Sequence, residues 1–132
     1  MEGTVGKTLV VDDFATMRKI VKNVLRQINI TNVAEAEDGK VALDILKRDP
    51  ADFELIVSDW IMPVMTGIDF LKACKEDDAV RKIPFVMVTA EAQKDSVLEA
   101  IKAGVDNYIV KPFTPDKLQE AIQKARAKAQ RQ

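Results

Sequence analysis

A chain of 132 residues, 47% of them apolar, is long enough for one domain with a real core and too apolar to stay disordered. Its 20 Lys and Arg against 21 Asp and Glu leave a formal charge of −1, which gives no pull toward nucleic acid or an anionic membrane surface. One cysteine, Cys74, and no histidine exclude an internal disulfide and every mechanism or metal site that needs an imidazole from this chain.

No stretch reads as a secretory leader or as an apolar run of membrane-spanning length, so a cytoplasmic monomer is expected. Met1 to Gly6 is a loose polar lead. Thr8 to Val11 is a strand of the buried type, closed by Asp12-Asp13. Phe14, Met17, Ile20, Val21, Val24, Leu25 and Ile28 recur at helical spacing, with Arg18, Lys19, Lys22 and Arg26 on the outer face. Val33 to Ala36 is a second strand. Asp38-Gly39 ends it, and Val41, Ala42, Ile45 and Leu46 mark a second helix stopped at Asp49-Pro50. Leu55-Ile-Val57 is a strand buried on both faces, with Asp59 at its end and Pro63 and Gly67 breaking the chain into a loop.

Thr66 caps a third helix, with Ile68, Leu71 and Ala73 or Cys74 inward. Pro84 opens a fourth strand, Phe85 to Val88, where proline is tolerated, and Thr89 ends it. Glu91 to Ala103 reads as a fourth helix with Val97, Leu98 and Ile101 on its apolar stripe, and Gly104 fits just past its end. Tyr108 to Val110 is the fifth strand, closed by Lys111-Pro112. Thr114 caps a last helix with Pro115 as its first residue and Leu118, Ala121, Ile122 and Ala125 buried. Its basic tail, Lys124, Arg126, Lys128 and Arg131, complements the helix dipole. Five strands alternating with five helices predict one α/β domain over residues 1–132, a doubly wound parallel sheet with helices on both faces.

In such a sheet the carboxyl ends of the strands share one crevice, so Asp12, Asp13, Asp59, Thr89 and Lys111 are expected to meet there. Each has a plainer role alone: Asp12-Asp13 and Thr89 as helix caps, Asp59 as a turn former, Lys111 as a solvated lysine. Convergence favours chemistry. Carboxylates about 4 Å apart repel by about 4 kcal/mol per pair at an effective dielectric of about 20, which calls for Lys111 or a divalent cation. A few hard oxygen ligands suit Mg²⁺. A carboxylate beside it can attack phosphorus to give an acyl phosphate, with Lys111 and the Thr89 hydroxyl on the phosphoryl oxygens.

Val11-Asp-Asp13, Ser58-Asp-Trp-Ile-Met-Pro63, Val88-Thr-Ala-Glu91 and Tyr108-Ile-Val-Lys-Pro-Phe113 resemble the receiver domain of two-component response regulators. The likeness runs from about Lys7 to Lys124 and leaves 1–6 and 125–132 as terminal extensions. Phe14-Ala-Thr-Met-Arg18, Glu35-Ala-Glu-Asp-Gly39 and Val88-Thr-Ala-Glu-Ala92 resemble most the single-domain members that serve chemotaxis. The resemblance implies a flavodoxin-like sheet of order 2-1-3-4-5. It implies Asp59 as acceptor of a phosphoryl group from a sensor histidine kinase, and Mg²⁺ on Asp13, Asp59 and the Ile61 carbonyl, with Asp12 acting through water. Lys111 would pair with the phosphate, ahead of a cis bond to Pro112.

It implies further that Thr89 and Tyr108 form the switch, although Tyr108 alone reads as a half-buried strand aromatic. The target would be the flagellar motor switch or another protein, bound through helix four, strand five and helix five; a phosphatase would be a further partner, and the chain would not be a turnover enzyme. Ile61 departs from the chemotaxis members, which usually carry a polar side chain there, often Asn. Other readings stay open: a phosphorelay intermediate or phosphate sink, and, from other classes, a flavodoxin-like electron carrier or a small aspartate-nucleophile phosphatase. The acidic, glycine-free Asp12-Asp13-Phe14 turn argues against a flavin phosphate cradle, and no second domain covers a substrate.

Overall fold

The computed structural model describes residues 6–90 and 94–129. In chain order the elements are β1 (Lys7–Val11), α1 (Ala15–Gln27), β2 (Val33–Ala36), α2 (Gly39–Arg48), β3 (Phe53–Asp59), α3 (Gly67–Glu76), β4 (Phe85–Thr89), α4 (Lys94–Lys102), β5 (Asn107–Val110) and α5 (Pro115–Ala129). The strands pair in parallel in the order β2-β1-β3-β4-β5, the order the resemblance implies. Two short 3-10 turns, Pro50–Asp52 and Val80–Lys82, precede β3 and β4.

Continuous apolar strands make sense because both faces of the sheet are covered. Leu9 and Val11, Ile56, and Phe85 and Met87 face one way, onto Leu46, Phe70, Leu71 and Cys74 of α2 and α3. Val10, Leu55 and Val57, and Val86 and Val88 face the other, onto Val21 and Leu25 of α1 and Leu118, Ile122 and Ala125 of α5. Thr66 and Thr114 cap α3 and α5 as expected, their hydroxyls accepting from the Asp69 and Lys117 N–H groups at 3.2 Å each. Gly104 takes φ +94° just after α4, a left-handed turn that glycine adopts without steric cost. Asn29, φ +68°, does the same after α1.

Three expectations are corrected. In α1, Phe14 and Ile20 are exposed, and the buried positions are Val21 and Leu25. In α4, the fully buried side chain among those described is Ala100, whereas Leu98 is 47% and Ile101 50% exposed. Val97 and Ala100 form one stripe at helical spacing and Leu98 and Ile101 the neighbouring one; the stripe with the small residue turns inward. Glu91, Ala92 and Gln93, read as the start of this helix, lie outside the described residues. The basic tail is also more than a dipole complement: Arg126 pairs with Glu54 of β3 at 3.3 Å and Lys128 donates to the Val105 carbonyl at 2.6 Å. Lys124 pairs with Glu120, one turn back on an exposed face, and Arg131 lies outside the described residues.

At the amino end of the sheet, buried Asp106 accepts from the Phe85 N–H at 2.8 Å and from Lys75 Nζ at 3.1 Å, and Lys75 also donates to the Arg81 carbonyl at 3.2 Å. This ties α3, β4 and β5 together with both charges hydrogen-bonded, the condition under which a buried ion pair is tolerable. Thr8 in β1 is the contrary case: it is fully buried, and its hydroxyl has no hydrogen-bond partner among the described residues. Removing an unsatisfied buried hydroxyl without changing shape is favourable. Thr8→Val is therefore expected to stabilise the fold by about 1 kcal/mol, read as a rise of several degrees in the thermal midpoint.

Candidate functional site

The register of the central strands assembles the site. Val11 of β1 lies beside Ser58 of β3, so the next residues, Asp12 and Asp59, leave the sheet side by side. Thr89 of β4 lies beside Val110 of β5, which brings Lys111 in from the other flank, its N–H donating to the Thr89 carbonyl at 2.7 Å. Carboxylate oxygens of Asp12, Asp13 and Asp59 all fall within 4.8 Å of one another. Lys111 Nζ is 3.1 Å from Asp59 Oδ1 and 3.9 Å from Asp12 Oδ2. The three acids thus form one cluster with Lys111 against two of them, and Thr89 stands at the end of the adjoining strand.

The acids are not equivalent. Asp12 is buried, and burial pushes its carboxyl above the ordinary range; the charges of Asp59 and Asp13 push the same way, against the Phe14 N–H and Lys111. The Phe14 N–H reaches Asp12 Oδ1 at 3.0 Å. Asp13 and Asp59 are partly exposed. Three carboxylate oxygens this close form a hard, oxygen-only donor set, partly dry and short of positive charge, which fits a divalent cation of the Mg²⁺ type. The Lys111–Pro112 bond is cis, as the resemblance implies. Tyr108 stands on β5 beside Met87, 36% exposed. The Ile61 side chain is 76% exposed on the loop after Asp59. Cys74 is no rival nucleophile: it is buried, and burial pushes its thiol up to about 12.

Sequence reasoning missed three supports. Gly67 packs on the carbonyl of Asp59, where a Cβ would collide, and its N–H donates to the Trp60 carbonyl at 2.8 Å; its sequence context signals only a loop breaker. Val64, 78% exposed, sits at φ +70°, a left-handed conformation that disfavours a β-branched side chain; nothing in its neighbours signals that. Arg18, placed on the outer face of α1, bends back so that Nη1 donates to the Asp12 carbonyl at 2.7 Å.

A profile of the response regulator receiver domain family matches residues 8–123. The chain is 52% identical over 118 residues to the chemotaxis protein CheY of Pseudomonas aeruginosa, covering 89% of this chain and 94% of that one. It is 50% identical over 118 residues to CheY-3 of Vibrio cholerae, covering 89% of each. Among solved structures, the chemotaxis protein CheY4 of Vibrio cholerae superposes with a TM-score of 0.82 at 34% identity, over 92% of this chain and 99% of that one.

Because the Asp12 carboxyl is raised, its charged form weakens the fold; that cost is full above the raised value and vanishes as pH falls toward the ordinary carboxylate value. Asp12→Asn is expected to raise the metal-free thermal midpoint at neutral pH. Like charges about 4 Å apart repel by about 1 kcal/mol in water and more nearer the protein, which sets the scale. The gain should shrink on acidification, and the variant should lose the stabilisation that Mg²⁺ gives the parent; melting curves with and without Mg²⁺ across pH check all three.

Proposed function

The chain belongs to the response regulator receiver domain family, and from that premise we propose that it is a phosphorylation switch of chemotaxis with Asp59 as its acceptor. The observation that supports this most is Asp59 itself: one oxygen rests on Lys111 at 3.1 Å while the same side chain shares the acidic cluster with Asp12 and Asp13. A nucleophile needs this double contact, with a cation to receive the phosphoryl oxygens on one side and a metal-binding set on the other.

Asp13, Asp59 and the Ile61 carbonyl would hold Mg²⁺, with Asp12 acting through water, and the ion would neutralise charge on the phosphoryl group. An Asp59 oxygen attacks phosphorus of a phosphohistidine on a sensor kinase. The P–N bond breaks, its electron pair leaves with the imidazole, and an acyl phosphate remains on Asp59. Lys111 moves from the Asp59 carboxylate to the phosphoryl oxygens. The Thr89 hydroxyl donates to the same group, and Tyr108, now 36% exposed, turns inward as Thr89 moves. The added charge of up to about −2 thereby biases the surface of α4, β5 and α5. That face already shows Leu98, Ile101 and Tyr108 to solvent. It is the surface we assign to the target, the flagellar motor switch, in keeping with the chemotaxis relatives. The chain is an acceptor that assists its own phosphorylation and dephosphorylation and turns over no other substrate.

Trp60 adjoins Asp59 and is the only tryptophan. Its emission is expected to change on adding Mg²⁺ and again on adding beryllofluoride. The second change should require Mg²⁺ and be absent in Asp59→Asn; a response that survives this substitution would sink the assignment. The Ile61 side chain is exposed on the loop after Asp59, where we expect an apolar group to hinder the water that hydrolyses the acyl phosphate. Ile61→Asn is expected to shorten the phosphoprotein half-life severalfold, measured by loss of label after removal of the phosphodonor, and an unchanged half-life refutes the shielding role.

A further inference from the structure

We infer that Glu35 and Arg18 form a positioning relay for the metal-binding acids, acting on the backbone of Asp12 and not on its charge. Arg18 lies one turn into α1, its N–H bonded to the Phe14 carbonyl at 3.0 Å. From there its side chain reaches back over the β1–α1 turn, Nη1 donating to the Asp12 carbonyl at 2.7 Å and Nε to Glu35 Oε1 at 2.9 Å. Glu35 is on β2, beside Val10 of β1, and its other oxygen accepts from Lys22 at 3.0 Å. Hydrogen bonds from Lys22 and Arg18 hold the Glu35 carboxyl below its usual range, so it stays an anionic anchor. The guanidinium fork spans a carbonyl and a carboxylate at once, which a lysine ammonium does not reproduce with fixed geometry.

The peptide so held is the one joining Asp12 to Asp13. Asp12 is gripped on its other sides as well, its N–H donating to the Ala36 carbonyl at 3.2 Å and its Oδ1 accepting from the Phe14 N–H at 3.0 Å. The Arg18 bond fixes the remaining freedom, rotation of the peptide that aims Asp13. The cation that acts on the Asp12 carboxylate is Lys111, 3.9 Å away. Arg18 therefore serves geometry, in the manner of the outer hydrogen bonds that orient metal ligands elsewhere.

This inference rests on the proposed Mg²⁺ site, and the test separates the two. Mg²⁺ is titrated against Trp60 fluorescence in the parent, Arg18→Met, Arg18→Lys and Glu35→Gln, with metal-free melting of each. Arg18→Met is expected to raise the Mg²⁺ dissociation constant roughly ten-fold, the low end for loss of an orienting partner. Arg18→Lys should not restore it, and Glu35→Gln should give a smaller loss of the same kind. At saturating Mg²⁺ the beryllofluoride response should return in all three, since Asp59 and Lys111 are untouched. A parent that responds to Mg²⁺ beside an Arg18→Met variant within two-fold of it, whatever its melting point, overturns the relay alone. Full rescue by Arg18→Lys overturns the geometric role. A parent blind to Mg²⁺ overturns the cation site and the relay with it.

Discussion

Three carboxylates from the ends of β1 and β3 and one ammonium from the end of β5 meet at the carboxyl edge of the sheet, and the repulsion among the acids is the constraint on which the rest of the structure turns. Lys111 meets Asp59 at 3.1 Å and Asp12 only at 3.9 Å, so one lysine offsets part of a three-fold negative cluster. Burial first, and that remaining repulsion after it, hold the Asp12 carboxyl above its ordinary range. A fold that keeps such a cluster must be held firmly enough elsewhere that the acids cannot relax apart. The two apolar layers do this: β1 and β3 are central strands with their side chains buried on both faces, so Asp12 and Asp59 are carried on the least yielding part of the molecule.

The amino end of the sheet is built on the opposite plan. There Asp106 and Lys75 bury charge with each partner hydrogen-bonded, and the pair ties α3 to the starts of β4 and β5. Arg126 and Lys128 fasten α5 to Glu54 and to the Val105 carbonyl. One end of the sheet therefore satisfies its charges internally and the other leaves negative charge in excess. A cation or a phosphoryl group bound among these acids would change the balance only at the second end.

Most of the strand ends were legible because a strand buried on both faces shows as an unbroken apolar run, and a polar residue closing such a run is conspicuous. Asp12, Asp59, Thr89 and Lys111 were all found this way, and the parallel order brought them together. Gly104, Thr66 and Thr114 were legible because caps act within a few residues of themselves. What failed was information that lies across the fold. Periodicity on α4 offered two adjacent stripes, and only packing shows that Ala100 faces inward while Leu98 and Ile101 do not. Arg18 reads as a surface residue until β2 is known to place Glu35 beside it. Arg126 and Lys128 look like a dipole complement until Glu54 and Val105 are seen beneath them. Val64 gave no signal at all, since a left-handed backbone at a valine contradicts local preference.

The way α4 packs bears on what the site can control. A helix seated through a small buried residue, with its large apolar side chains outside, has less to lose by shifting than one locked by interdigitated leucines, because the free energy of burial scales with the area removed from water. The helices α1, α3 and α5 bury Leu25, Phe70, Leu71, Leu118 and Ile122 fully or nearly so, whereas among the described side chains of α4 the one buried to that degree is Ala100. Its neighbour β5 is an edge strand that carries Tyr108 part-exposed and runs directly into Lys111. The side of the domain with less apolar burial among the described residues is therefore the side joined by covalent chain to the ammonium that meets Asp59 at 3.1 Å. A rigid centre holding the acids and a looser flank holding their counter-ion is the arrangement in which a local change of charge can be converted into a change of surface.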